Sequence, residues 1–355
     1  MVSSSGAGSS SSSGAPAVTP QGYFFSYDAD SGLAAIQRTV DGTSNTLAAT
    51  ATFAQGYTHA VGGFDSTTNS ATIYLYTAST GASRLVRMGI PPSGTAGIIT
   101  ELNPNPGISG NWSHLVWLAA PDAYRVFFYS ATTHNAATVD FLIPTSGDTH
   151  AAVQRSSVVI PAAYQGATAL WRSAFKYQAG AVQAAVVNLY NGADGTTAYI
   201  YVNDTTGEIF PNSTPGTFGG TATFTRWPST QGTPTLPGTG LIFPVPLSEA
   251  GHTFARGINA SVFALNGQGG GILHDLQVQT TPVNVFNNSS FSGWSQVLTL
   301  DNGITVFYLN TNGVIITARL TRTAPFFTQV NSTTTDLGLD LVIPLVNERR
   351  TSQIP

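Results

Sequence analysis

Residues 73–81 read IYLYTASTG: an alternating apolar run that ends in Tyr76, four intervening residues, then Gly81. Alternation with a period of two marks a half-buried strand, and a glycine at that distance supplies the positive φ of a tight turn, so the segment predicts a β-hairpin. The same pattern recurs along the chain. YFFSYDADSG carries Tyr27 and Gly32, VVNLYNGADG carries Tyr190 and Gly195, and VFYLNTNG carries Tyr308 and Gly313. Two copies are degenerate: VFFYSATTH has Tyr129 followed by His134, and SVFALNGQGG has Leu265 in place of the tyrosine and Gly270 at the turn.

The anchors at 27, 76, 129, 190, 265 and 308 are separated by 49, 53, 61, 75 and 43 residues. A spacing near fifty is what a four-stranded propeller blade requires. The longest step contains the Pro/Gly/Thr-rich stretch 211–240, read as a long surface loop. A second element precedes the hairpins: GYTHAVGGF before Tyr76, NWSHLVWLA before Tyr129, ALWRSAFKY before Tyr190, AGHTFARGI before Leu265 and GWSQVLTLD before Tyr308. The C-terminal DLGLDLVIPL has no hairpin after it, and the N-terminal YFFSYDADSG has no strand before it. The two ends complement each other. The expectation is therefore an all-β chain: a six-bladed β-propeller over 21–355, with one blade shared by the N- and C-terminal strands. A pair of β-sandwiches is the competing arrangement, and no helical periodicity is evident.

Composition narrows the function. The chain has 355 residues, 13 basic and 17 acidic, a net charge of −4 and 8% charged residues. Its single lysine, Lys176, leaves no basic face for nucleic acid. The absence of cysteine removes disulfides, thiol catalysis and zinc–thiolate sites. No apolar run reaches the ~18 residues of a membrane span. Residues 1–20, with the Ser/Gly tract VSSSGAGSSSSSGAPA, read as a flexible segment outside the fold and lack the apolar stretch of a signal peptide. Seven sequons, at Asn111, Asn203, Asn212, Asn259, Asn287, Asn288 and Asn331, would accept N-glycans in a secreted or secretory-pathway protein.

Aligning the strands that precede the hairpins yields a candidate site. One position carries His59, His114, Arg172, His252 or Thr253, Gln296 and Asp340. One or two residues earlier stand Tyr57, Trp112, Trp171 and Trp294. If these strands are innermost, a ring of hydrogen-bonding groups and aromatic faces surrounds the axis. The bland alternative is that the aromatics pack between blades and the polar groups satisfy backbone atoms at the tunnel mouth. Arg38, Arg87 and Arg319 also recur on the third strand, but Glu101, Glu208, Glu249 and Glu348 share no repeat position. One unequal site fits this pattern better than six equal ones.

Other chemistry is sparse. DADSG at Asp28–Gly32 partly resembles a calcium loop, but two acidic oxygens fall short of the six to eight that Ca²⁺ takes, so a plain turn is expected. The histidines are scattered, and no metal is assigned. His274 belongs to a solvated strand, and GQGGG at Gly267–Gly271 is a hairpin turn. No nucleophile elbow, P-loop or carboxylate pair for glycoside hydrolysis is found.

The hairpins YFFSYDADSG, IYLYTASTG and VFFYSATTH, with GYTHAVGGF and NWSHLVWLA, resemble fungal propellers labelled fucose-lectin-like, over most of residues 21–345. That group includes the hetero-Diels–Alderases of tropolonic sesquiterpene biosynthesis. They join a tropolone-derived ortho-quinone methide to a humulene-type alkene without a cofactor. The sugar binders carry an Arg, a Glu and a Trp at each inter-blade site, which this chain lacks as a repeat, so the resemblance implies the enzyme branch. The expectation is a cofactor-independent pericyclase of fungal secondary metabolism, acting in one axial pocket on a small apolar or aromatic substrate. Arg172, His59 and His114 would hydrogen-bond the carbonyl oxygen. Tyr57, Trp112, Trp171 and Trp294 would stack the reactants, and His252 and Gln296 would orient them. The alternative is a fucose-type lectin. No catalytic residue of the group maps position by position onto this chain.

Overall fold

The computed structural model describes residues 21–120, 122–160, 163–164, 166–177, 180–190, 197–209, 240–245, 261–266, 270–275, 283–287, 296–300, 304–309, 313–320, 327–334 and 339–347. The N-terminal tract and most of the 211–240 stretch lie outside them. The described elements are all strands. In chain order they are β1 (Gly22–Tyr27), β2 (Leu33–Thr39) and β3 (Thr46–Thr52); β4 (His59–Asp65), β5 (Ser70–Tyr76), β6 (Ser83–Gly89) and β7 (Ile98–Asn103); β8 (His114–Ala119), β9 (Ala123–Tyr129), β10 (Asn135–Leu142) and β11 (Ala152–Val159). Then come β12 (Gly166–Tyr177), β13 (Gly180–Tyr190) and β14 (Thr197–Asn203); β15 (Gly240–Val245), β16 (Ser261–Asn266), β17 (Gly270–Asp275) and β18 (Val283–Asn287); and β19 (Gln296–Thr299), β20 (Ile304–Leu309), β21 (Val314–Leu320) and β22 (Phe327–Thr334). Two short C-terminal strands follow, β23 (Leu341–Pro344) and β24 (Val346–Asn347). Among the described residues no helix is long and apolar enough to cross a membrane.

These strands fall into six sheets, ordered β23-β1-β2-β3, β24-β4-β5-β6-β7, β8-β9-β10-β11, β12-β13-β14, β15-β16-β17-β18 and β19-β20-β21-β22. All the pairings are antiparallel except β24 with β4. The C-terminal β23 joins β1 with Phe24 opposite Pro344 and Tyr27 opposite Leu341. The first strands of the sheets touch in succession: β23 on β4, β4 on β8, β8 on β12, β12 on β15, β15 on β19, and β19 on β23. The strand paired with β16 is Gly240–Val245. This corrects the expectation that the 250–258 stretch supplies it; those residues lie outside the described ones.

The turns follow the sequence pattern. The Gly32 N–H donates to the Asp28 carbonyl (2.8 Å) and the Asp28 N–H to the Leu33 carbonyl (2.9 Å), with Gly32 at φ +76°. Thr77–Gly81 and Ser130–His134 repeat the bonding, and His134 itself takes the left-handed conformation at φ +59°. At Gly32 a Cβ would lie 2.3 Å from the Phe53 carbonyl oxygen, so the turn lies against the end of its own outer strand. A register shift recurs between third and fourth strands in five sheets. Such bulges increase local twist.

The second strands form the core. Every residue of β5 is buried, as are Phe24, Phe25, Phe127 and Phe128. The described ion pairs lie within single sheets, and one of their arginines also reaches the next sheet. Arg125 on β9 is 1% exposed. Its Nε and Nη2 donate to the two Asp140 oxygens (2.6 and 2.9 Å), while Nη1 donates to the carbonyls of Asn203 and Asp204 at the end of β14 (2.8 and 2.7 Å). Arg155 Nε closes on the same carboxylate at 2.8 Å. The guanidinium thus ties the third sheet to the fourth. Replacing Arg125 by Met leaves Asp140 and two carbonyls short of donors, and we expect a loss of about 3–5 kcal/mol in urea unfolding with the far-ultraviolet spectrum retained.

Candidate functional site

Strand register provides the true alignment of the inner strands. The residue opposite the repeat tyrosine is His59 (opposite Tyr76), His114 (Tyr129), Gly166 (Tyr190), Gln296 (Tyr308) and Leu341 (Tyr27), and Leu241 faces Leu265. His59, His114 and Gln296 are therefore equivalent, as the sequence pattern predicts, and Asp340 sits one residue early. Arg172 is not equivalent. It faces Ala185, five partner residues along from Tyr190, which sets its backbone about 16 Å down the strand from the level of the histidines. A bulge between Ala169 and Trp171 helps hide this shift. The expected joint contact of Arg172 with His59 and His114 on one carbonyl oxygen therefore loses the shared strand level on which it was based. Trp171 moves with it, and the residue that matches Trp112 is Tyr164. His252, Thr253 and Trp294 lie outside the described residues.

The aligned aromatics serve the joints between sheets. The backbone N–H groups of Tyr57, Trp112 and Tyr164 donate to the hydroxyls of Tyr27, Tyr76 and Tyr129 in the preceding sheet (3.4, 3.2 and 3.0 Å). Tyr27 and Tyr76 donate onward to the carbonyls of Ala54 and Ser109 (2.6 and 2.9 Å). Tyr27, Tyr76 and Tyr129 are thus struts from the end of a hairpin to the segment that enters the next sheet. Tyr57 is only 8% exposed and packs in the core between the first two sheets, so it offers no open face to a ligand. Trp112 is half-buried, its ring 5.6 Å from that of Phe128, and its enclosed indole N–H has no partner among the described residues.

Two polar members of the ring are clasps. His59 Nε2 lies 2.9 Å from the Ser113 carbonyl oxygen and Nδ1 lies 2.8 Å from Thr58 Oγ1. A carbonyl only accepts, so Nε2 carries the proton and the Thr58 hydroxyl donates to Nδ1; this tautomer is assigned from the network. Burial depresses the His59 pKa, opposed by the Ser113 carbonyl. Gln296 does the same work on its side. Its Nε2 donates to the Asp340 carbonyl (2.6 Å), and its Oε1 accepts from the Val342 N–H. Ser113 and Asp340 each stand just before the aligned residue of the next inner strand. His59 and Gln296 therefore bind the neighbouring backbone, which corrects their expected roles as substrate donor and orienting group.

His114 differs. Its ring stacks on Tyr129 (6.1 Å, 12°) and has no hydrogen bond among the described residues. Burial, then the nearby His59, holds its pKa down to about 4. Near neutral pH it is an uncharged imidazole, half-buried, with one N–H to give and one nitrogen to accept.

Elsewhere, Asp28 Oδ1 accepts from the N–H groups of Asp30 and Ser31 (2.9 and 3.2 Å) and Oδ2 from the Ser31 hydroxyl (2.8 Å). DADSG is thus a self-bonded turn. No group of three His, Asp or Glu that could hold a metal ion occurs among the described residues. Arg38, Arg87 and Arg319 do share a place, four residues after those facing the repeat tyrosines (Ala34, Ser83, Ile315), where the third sheet has Asp140. Arg87 reaches the Tyr124 hydroxyl (3.3 Å) and Arg319 the Asp41 carbonyl (3.1 Å), each in the following sheet. Sequence reading missed one cluster. Arg84 on β6 pairs with Glu101 on β7, its Cζ lies 5.6 Å from the Phe53 ring centroid, and the Tyr57 hydroxyl adjoins it. Of the sequons, Asn111 is exposed, Asn203 and Asn331 are half-buried, Asn287 lies on β18, and Asn212, Asn259 and Asn288 are outside the described residues.

No family model matches the chain, and no curated protein does. Solved structures do. The periplasmic gluconolactonase PpgL of Pseudomonas aeruginosa is similar with a TM-score of 0.50 at 8% identity, over 95% of this chain and 100% of that one. A protein from Lactobacillus plantarum gives a TM-score of 0.45 at 12% identity, over 90% of this chain and 84% of that one. At such identity the likeness is one of fold, and the fold is a β-propeller.

The imidazoles give the protein a defined acid response. With the folded His114 pKa near 4 and 6.5 for an unperturbed histidine, the unfolded chain binds more protons between those values. This contribution to stability is complete above pH 6.5 and falls as the pH drops towards 4. In urea titrations at about pH 5, His114→Phe should remove up to about one of the protons taken up on unfolding, and a wild-type slope in that variant would contradict the assignment.

Proposed function

We propose that the chain is a six-bladed β-propeller, closed by sharing its first blade between β1 and the C-terminal β23, and that it promotes a hetero-Diels–Alder cycloaddition at the mouth of its axis. Support for the closed ring comes from the unbroken succession of first-strand contacts and from the β23–β1 ladder. Support for the activity comes from the sequence resemblance and from one geometric observation: His114, at the aligned position, keeps a neutral imidazole whose nitrogens bind no group among the described residues.

The reaction asks little of a protein. A tropolone-type ortho-quinone methide supplies four atoms, carbonyl oxygen to exocyclic carbon, and a humulene-type alkene supplies two. Two σ bonds form, nothing leaves, and no electron donor or acceptor is consumed. An imidazole N–H aimed at the carbonyl oxygen stabilises the charge that grows there as the bonds form. A neutral donor with a low pKa does this without gaining or losing a proton. Holding both reactants in one cleft contributes further, up to about 7–11 kcal/mol in well-oriented cases. Trp112, half-buried two residues before His114, keeps its expected stacking role in this reading, while its indole N–H is enclosed and reaches no ligand. Arg172, Tyr57, His59 and Gln296 have no part in it.

The test is to generate the quinone methide in the presence of humulene and follow the adduct by chiral liquid chromatography. The wild-type chain should raise both rate and enantiomeric excess over buffer. His114→Ala should lower the rate by about 10²-fold, the scale of one lost transition-state donor. Equal adduct with and without protein sinks the activity, and an unimpaired His114→Ala sinks the role.

The Arg84–Glu101 pair beside Phe53 favours a second reading, a glycan site between the first two blades. Calorimetry with fucose separates the two. One site per chain that is lost in Arg84→Ala supports the lectin, and silence towards sugar with adduct formation supports the enzyme.

A further inference from the structure

β4 differs from the other inner strands. Each of β8, β12, β15, β19 and β23 has one hydrogen-bonded neighbour among the described residues, whereas β4 has two, β5 on one edge and β24 on the other. After β23 the chain passes through Leu345, whose N–H donates to the Tyr23 carbonyl (3.0 Å), and Val346 and Asn347 then pair in parallel with Gly63 and Phe64. The Leu345 side chain is buried against the core of the first two sheets. A Cβ at Gly62 would lie 3.2 Å from Leu345 Cδ2 and 2.5 Å from the Thr72 carbonyl oxygen. Glycine inside a strand marks a close approach of another backbone, and β4 carries two in succession, Gly62 and Gly63. The tighter backbone contact at Gly62 comes from β5, and Leu345 Cδ2 occupies the remaining space over the glycine.

The added strand is also the shortest of the described strands. It is two residues long and parallel, against four antiparallel pairs for β23. Parallel pairing is the less stable kind, and so short a strand is held mainly by what flanks it.

We propose that the edge of β4 at Gly62–Phe64 is a strand-addition site for an extended peptide, filled in cis by the chain's own Leu345–Asn347. A peptide of the same pattern fills it in trans when that segment is displaced. Recognition follows from the geometry: a free backbone edge supplies the ladder, and the slot beside Gly62 takes one aliphatic side chain. The site lies four to five residues along β4 from His59, about 13–16 Å from the level of the two histidines. On the reading of a closed ring, to which only this consequence is tied, the segment covers the axis at the end away from His114.

The test uses the full chain and a fluorescein-labelled peptide with the sequence of residues 343–350, followed by anisotropy. Wild type should not bind it, because the edge is taken. Leu345→Asp, which expels the resident segment from its apolar slot, should bind one peptide per chain at least about tenfold more tightly than wild type. A peptide with Asp at the leucine should not bind. A Leu345→Asp variant with a wild-type far-ultraviolet spectrum and a cooperative melt that ignores the peptide overturns the proposal. So does equal binding of both peptides. Should that variant fail to fold, Val346→Pro removes one strap N–H and leaves Leu345 in place. Amide exchange at Gly63–Phe64 should then be about tenfold faster while the rest of β5 and β6 is unchanged, and unaltered exchange overturns the proposal. Neither readout involves turnover, so failure of the cycloaddition leaves this result standing, and the reverse also holds.

Discussion

The rest of this molecule depends on a hydroxyl. A four-stranded sheet offers two broad faces and must cover both. Here the cover comes from the adjoining sheets, and the joint has to be made where the chain crosses from one to the next. The crossing segments carry backbone groups that no ladder satisfies, and buried backbone donors do not go unpaired without cost. The tyrosines at 27, 76 and 129 solve that problem. Their rings fill the core and their hydroxyls accept from the entering strand's N–H, so one residue type at one register position gives apolar packing and a polar joint. That double duty explains why tyrosine, and not phenylalanine, marks the repeat.

The same requirement explains the polar ring. In two of the sheets the carbonyl just before the next inner strand is met by the aligned side chain of the preceding sheet. His59 serves Ser113 and Gln296 serves Asp340, with different chemistry and the same outcome. A polar residue repeated at a tunnel mouth is then first a structural device. A member of the set becomes a candidate for chemistry only when the device leaves it over, as at His114. Function in a repeat architecture is thus found by asking which copy does not do what the others do.

The hairpins, the aligned positions of His59, His114 and Gln296, and the pairing of the two chain ends were legible because each rests on local alternation or on a fixed offset from a tyrosine. What could not be read has physical causes. Arg172 was misaligned because ALWRSAFKY imitates the aromatic-then-polar pattern, while the true match, Tyr164 to Gly166, lacks the polar residue. The inner strand of the fifth sheet, Gly240–Val245, was missed because its sequence lies far from its hairpin, behind Pro-rich chain. The Arg84–Glu101 cluster was invisible because its partners stand on neighbouring strands seventeen residues apart. Burial of Tyr57 was not legible at all, since an aromatic facing a pocket and one facing a core are the same letter. The pairing of β24 with β4 was hidden for the opposite reason: two residues carry no periodicity.

The low charge content follows from this construction. A side chain that holds two sheets together is more than half enclosed, and an enclosed charge is tolerable only with its partner fixed. Enclosed Arg125 obeys that rule by sharing Asp140 with the exposed Arg155, half-buried Arg84 holds Glu101, and Arg87 and Arg319 end on a hydroxyl and a carbonyl of the following sheet. Little charge then remains to attract a charged ligand. A neutral donor such as His114 keeps its strength in such surroundings because nothing nearby competes for it or protonates it. On the proposed reading, the same economy that holds the sheets together leaves His114 a neutral donor for an uncharged, weakly polar ligand.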